Sequence, residues 1–311
     1  MSESRPDQEP RGEPWQWQEK TWREIVDRTR AGPSLLPSIW PNGARCAVAL
    51  AIEADHEAGA LRDDDDGPTR LSQGQYGARR GLPRMRALLE RDNIRATFFY
   101  PAVAALLHQD EVRSLAADGH ELAVHSWIHE RNTQLPYEAE RDLTHRAMET
   151  LDHLGGRPPV GLRAASWDFS VNTLIIMQEL GLLYDSSLMA DDDPYELLSD
   201  EEPSGIVELP PEWIRDDAVY FNMQRFTALR PVSAPSVVEE IFRAEFDGAW
   251  AENGLFLLTL HPHVIGHRSR IGILDRLLRH IKAKGQVWFA THAEIAAWCR
   301  EHGGQAGSSL K

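Results

Sequence analysis

The 311-residue chain carries 48 acidic against 33 basic side chains, a formal charge of −15, which repels phosphate backbones and anionic lipid surfaces and excludes nucleic acid and membranes as expected partners. Its hydrophobic content of 42% is ordinary globular usage, and no stretch approaches the roughly 18 continuous apolar residues of a membrane helix. The two cysteines, Cys46 and Cys299, exclude a disulfide scaffold and read as reduced packing residues.

The polar opening MSESRPDQEPRGEP has no apolar run after its basic residues and does not resemble a secretory signal, so a cytoplasmic setting is the expectation. Residues 1–40 then read as an N-terminal arm. WQWQEKTWREIVDRTRAG predicts one tryptophan-bearing amphipathic helix ending at Gly32, before a proline-rich connection. Aromatics on such an arm need a surface to cover them, on its own domain or on a neighbouring subunit, and the expectation is a homo-oligomer, a dimer or tetramer. Residues 41–303 read as one domain and 304–311 as a tail.

From residue 45 short apolar runs alternate with helical segments. Strands are predicted at CAVALAIEA, RATFFYP, HELAVHS, VGLRAAS, LLYDSSL, GIVELPP, LFLLTLH and VWFAT. Between them, residues 137–156 place Leu143, Ala147, Leu151 and Leu154 at helical spacing before two glycines, and SVNTLIIMQELG opens on a serine cap and stops at Gly181. SRIGILDRLLRHIKAKG repeats the pattern. Near-continuous apolar strands joined by helices predict a parallel sheet covered on both faces, and about eight such units fit a closed or distorted (β/α) barrel. A doubly wound open sheet is the alternative, but no glycine-rich nucleotide loop follows the first strand. The acidic runs at 63–66 and 191–194 lack calcium-loop spacing and read as solvated loops.

Chemistry gathers at the strand ends. In CAVALAIEADHEAG the strand period places Ala47, Ala49, Ala51, Glu53 and Asp55 on one face, so two acids project together where a barrel keeps its active site. In HSWIHE, His125 ends a strand and His129 can meet it through a helical turn. Two imidazoles and a carboxylate make a three-ligand set with open positions, as a hydrolytic metal site requires. Two histidines four apart are equally a chance pairing in a chain with 13, and the Glu53-x-Asp55 strand end has to decide.

AIEADHEAG, RATFFYP, DGHELAVHSWIHERN, GLRAASWDFS, YDSSLMADDDPYEL, VELPPEWIRDD and LFLLTLHPHVIGHRSR, taken in order, resemble the polysaccharide deacetylase or NodB-homology superfamily. The likeness is nearest to its branch of peptidoglycan deacetylases and allantoinase or cyclic-imidase-like enzymes, and covers residues 45–300. The resemblance implies an α/β fold, a distorted (β/α) barrel of NodB-homology type. It implies Glu53 as catalytic base, Asp55, His125 and His129 as ligands of a divalent metal, Arg163 orienting the catalytic groups and His261 as general acid. Zinc is the first choice of metal, with cobalt, manganese or nickel as alternatives.

Two positions depart from the pattern. Glu53 stands where relatives have Asp, one methylene shorter, and Ala165 stands where they have Pro, which is expected to loosen the turn that fixes Arg163. Trp167, Trp213 and Met189 are the expected walls of a substrate pocket. With no signal peptide in view, the expected reaction is hydrolysis of the C–N bond of a small linear or cyclic amide, imide or ureide. N-deacetylation of an amino-sugar or peptidoglycan-type substrate is the alternative, and a binding scaffold with a decayed site is the reading of another class.

Overall fold

The structure is a computed structural model and describes residues 12–222 and 232–304. The opening peptide up to residue 11 and the tail from residue 305 lie outside the described residues. Among the described residues ten strands form one sheet: β1 (Thr29–Ser34), β2 (Cys46–Glu53), β3 (Thr97–Tyr100), β4 (Glu121–Val124), β5 (Gly161–Leu162), β6 (Tyr184–Asp185), β7 (Tyr195–Ser199), β8 (Glu202–Glu208), β9 (Leu255–Leu260) and β10 (Val287–Phe289). The eight strands expected from the apolar runs are all present, and all eight pair in parallel.

Neighbours run in the order β1-β7-β8-β6-β5-β4-β3-β2, with β9 on the far side of β2 and β10 beside its first half. The sheet curls into a half-barrel rather than closing as a regular ring of eight βα units. Between the segment after β8 and β9, a single parallel bridge, Asp216 to Thr259, is the only pairing among the described residues. This is the distorted barrel of the expectation, and the closed form is set aside.

Every residue of β2 is buried, because both of its faces are covered. Val48, Leu50 and Ile52 face outward into a core built with the surrounding helices, while Ala47, Ala49 and Ala51 face inward with Phe99, Ala123, Tyr184 and Leu257. Small alanines leave room inside the curl for Trp40 and for the helix His292–His302, which starts on a capping box between Thr291 and Glu294. That helix and Trp40 fill one end of the interior. Glu53, on the alanine face, therefore emerges inside the opposite mouth.

Several local expectations change. The single N-terminal helix is instead a short turn at Pro14–Gln16, a helix at Glu19–Asp27, and then strand β1. Gly32 does not stop a helix; a Cβ there would lie 2.8 Å from the Glu196 carbonyl oxygen, so glycine lets β1 approach β7. The arm thus adds an antiparallel edge to its own sheet through residues 29–34. Trp15, Trp22, Ile25 and Val26 stay exposed, and the helix Glu19–Asp27 buries none of its residues.

The helix expected at 137–156 spans Tyr137–Gly155 and buries Ala147, Leu151 and Leu154, with Leu143 half-buried. Ser170 is not the cap of the next helix, which spans Thr173–Glu179 with Asn172 at its cap position. The acidic run at 63–66 is tied down by Arg62 and Arg70, which pair with Asp63. Among the described residues no helix is long and apolar enough to cross a membrane.

Candidate active site

All the side chains of interest stand at the C-terminal ends of parallel strands, where strand direction gathers loop residues around one mouth. Glu53 ends β2 and Asp55 lies two residues on; His125 follows β4, Arg163 follows β5 and His261 follows β9. His129 reaches the same place by a route other than the expected helical turn. Residues 126–130 form an irregular loop in which Ser126 and His129 have φ of 68° and 67°. The Glu130 carboxylate accepts from the Trp127 and Ile128 amides at 2.9 and 2.7 Å and so folds the loop. The glutamate of HSWIHE therefore shapes the loop that aims His129.

Asp55 lies 3.6 Å from His125 Nε2 and 3.7 Å from His129 Nε2. The three ligand atoms fit within 4.8 Å of one another. His125 donates from Nδ1 to the Arg163 carbonyl at 2.8 Å, which leaves Nε2 as a bare lone pair facing Asp55. Asp55 Oδ1 and His125 Nε2 are buried polar atoms without a hydrogen-bond partner. Burial lowers the pKa of both histidines, that of His129 to about 4, keeping the rings neutral as ligation requires. A divalent cation fits this set. Among the described residues two other triads of possible ligands both use His261, whose ring nitrogens are already taken.

Glu53 is only 4% exposed and accepts from three donors. Arg163 Nη1 lies at 3.0 Å, the Trp167 indole at 3.3 Å and His261 Nε2 at 3.0 Å. Burial alone would raise its pKa, but His125, His261 and Arg163 overcome burial and hold the carboxyl well below the usual range. His261 shows the mirror image. Burial would lower it, yet Asp216, Asp217 and Glu53 push it well above an ordinary histidine, with Asp217 accepting from Nδ1 at 2.7 Å. The pair is a carboxylate facing an imidazolium. Asp216, also buried and beside Asp217 and Glu53, is pushed up to about 7.

Arg163 is fully buried, and each of its guanidinium nitrogens has an acceptor. It donates to the Ser186 carbonyl (2.7 Å) and hydroxyl (2.6 Å), to Thr259 Oγ1 (3.0 Å) and to Glu53, and lies 4.4 Å over the Phe99 ring. Ala165 does not loosen it, contrary to expectation. The Ala165 amide, which a proline would lack, donates to Ser126 Oγ at 3.3 Å and ties the two loops together. Of the expected pocket walls, Trp167 is buried beside Glu53 and packs against Trp213 with ring centroids 4.0 Å apart and planes tilted by 34°, while Trp213 is 46% exposed and forms the outer layer. Met189 stands exposed in the loop after β6, outside this hydrogen-bonded cluster.

Sequence reasoning assigned no role to Asp217, although it closes VELPPEWIRDD, one of the stretches that carried the resemblance. It also missed Asp185 and Glu208. These two buried acids, whose pKa values burial raises, accept from the Ser187 amide at 2.8 and 2.9 Å and so fix the loop that holds Arg163.

Residues 65–184, which include His125, His129 and Arg163, match the family model described as polysaccharide deacetylase. The peptidoglycan deacetylase of Helicobacter pylori is 26% identical over 279 residues, covering 80% of this chain and 94% of that protein. A solved Mycobacterium smegmatis structure assigned to the polysaccharide deacetylases is 33% identical with a TM-score of 0.78, over 87% of this chain and 95% of that one. Puue allantoinase is 25% identical with a TM-score of 0.74, over 86% and 93%. The chain belongs to the polysaccharide deacetylase family, metal-dependent in general, and is a hydrolase of carbon–nitrogen bonds other than peptide bonds.

Proposed function

We propose that the protein hydrolyses the C–N bond of a small linear or cyclic amide, imide or ureide. The observation that carries this reading is the depth of the reacting groups. Glu53 and His261 are 4% and 7% exposed, and Glu53 lies against Trp167, which Trp213 covers, a setting that suits a compact substrate better than a polymer strand. The likeness to Puue allantoinase over most of both chains supports it.

Asp55, His125 and His129 would hold the divalent cation, which supplies a Lewis acid to polarise the carbonyl and acidify water. Zinc suits the mixed nitrogen and oxygen donors. Glu53, kept ionised, takes the proton from the attacking water. His261, kept protonated by Asp216, Asp217 and Glu53, delivers a proton from Nε2 to the departing nitrogen. His261 Nε2 and Glu53 lie 3.0 Å apart, so the departing nitrogen would take the place of Glu53 as the partner of His261. Arg163 holds the Glu53 carboxylate in line throughout, and the products are a carboxylate and the released nitrogen group: an amine from an amide, an amide from an imide, a urea from a ureide.

A second reading, deacetylation of an amino sugar, is favoured by the peptidoglycan deacetylase relative. A panel of small amides, cyclic imides and ureides, run beside N-acetylglucosamine oligomers with mass-spectrometric detection, separates the two. Turnover of a small amide above that of the oligomers supports the proposal. Acetate release from oligomers alone favours the second reading.

A further inference from the structure

The two metal-facing histidines are set in opposite ways. His125 has a carbonyl at Nδ1, which takes the ring proton and leaves Nε2 free. His129 has a guanidinium there: Arg62 Nη1 lies 3.1 Å from Nδ1 and donates to the His129 carbonyl at 3.0 Å. An arginine only donates, so Nδ1 of His129 must accept and the proton of the neutral ring sits on Nε2. Nε2 is the nitrogen that faces Asp55 at 3.7 Å.

Arg62 is held in this position from both ends. It closes the short helix Ala58–Arg62, and its other nitrogens bind Asp63 at 2.7 and 2.8 Å. Asp63 in turn accepts from Arg70 at 2.8 Å. Nothing in the sequence announces this contact, because 67 residues separate the partners.

We propose that Arg62 sets the cation affinity of the Asp55–His125–His129 centre by holding His129 in the tautomer that opposes ligation. Ligation through Nε2 requires the ring proton to move to Nδ1, and Nδ1–H cannot face a guanidinium. Cation entry is therefore coupled to withdrawal of Arg62, after which Nδ1–H has the His129 carbonyl as acceptor. The ring is neutral before and after, so the effect is one of proton position and needs no net proton release. Arg62 is a positioning residue and makes the centre an exchangeable one. This inference rests on the metal reading of the site.

The test combines two measurements on the full-length protein stripped of metal. Long-range proton–nitrogen NMR of the histidines, assigned against His129→Gln, should find the proton of His129 on Nε2. Competition of zinc against a chromophoric chelator should show Arg62→Met binding tighter than wild type by about tenfold, the size of effect that outer partners of ligating histidines have, here with the opposite sign. A proton on Nδ1 in the wild type overturns the inference whether or not the variant folds. So does zinc binding to Arg62→Met that is equal or weaker, while Asp55→Ala abolishes it. Zinc affinity unchanged in Asp55→Ala overturns the metal reading itself, and the inference with it.

Discussion

Glu53→Gln removes one negative charge from the centre of the site while keeping the side chain's shape. Three donors converge on Glu53, and one belongs to Arg163, which has no exposure to water. Breaking one half of a buried ion pair typically destabilises by about 3–5 kcal/mol. The glutamine carbonyl can still accept from Arg163, and Ser186 and Thr259 continue to hold it, so the lower end, about 3 kcal/mol, is expected. Catalysis should lose a comparable or larger free energy. A general base contributes about 10²–10⁴-fold, or roughly 2.7–5.4 kcal/mol of barrier at 1.36 kcal/mol per decade. The assay is kcat and kcat/KM on the best small amide, with urea unfolding and zinc content measured on the same preparation. A folded variant that keeps its zinc and turns over within about threefold of wild type refutes Glu53 as the base, since the smallest expected loss is about 10².

Other outcomes follow from the same geometry. Asp217→Asn should reduce kcat by about 10²–10⁴-fold, because His261 loses the charged acceptor at Nδ1, one of the groups that keep it protonated. In wild type, activity requires Glu53 ionised and His261 protonated, so the acid limb of the kcat/KM profile should lie below pH 4.5 and the alkaline limb well above 6.5. Asp217→Asn should bring the alkaline limb down, and an unmoved limb would assign it to another group. Gly81→Ala should impair activity together with stability, because the new Cβ would lie 1.9 Å from the Pro262 carbonyl oxygen, next to His261; unchanged kinetics would contradict this. Trp22→Glu should convert a homo-oligomer to monomer in light scattering if the exposed arm helix meets a second copy, and an unchanged mass would remove that expectation.

The parallel strands were legible because each is a run of apolar residues buried on both faces, and the strand period alone put Glu53 at the mouth. Asp55, His125, His129, Arg163 and His261 were legible because they follow strand ends in a recurring order. The antiparallel pair β1 and β7 was not. Gly32 and Pro33 read as breakers, and only a neighbouring strand explains why a residue without a side chain stands there. The loop of HSWIHE was misread as a helical turn, because its shape depends on where one carboxylate folds back. Asp217 and Arg62 act through single long-range contacts that no periodicity encodes.

The most direct measurement of the whole arrangement is a titration of activity against bound cation. Protein stripped by chelator is given zinc in substoichiometric steps, with turnover of the best small amide and bound zinc read at each step, for wild type and Asp55→Ala. Turnover rising in proportion to bound zinc and levelling at about one equivalent, with Asp55→Ala neither binding nor recovering, is the expected result for a single three-ligand centre. Full turnover by metal-free wild type, or recovery in Asp55→Ala equal to wild type, contradicts it.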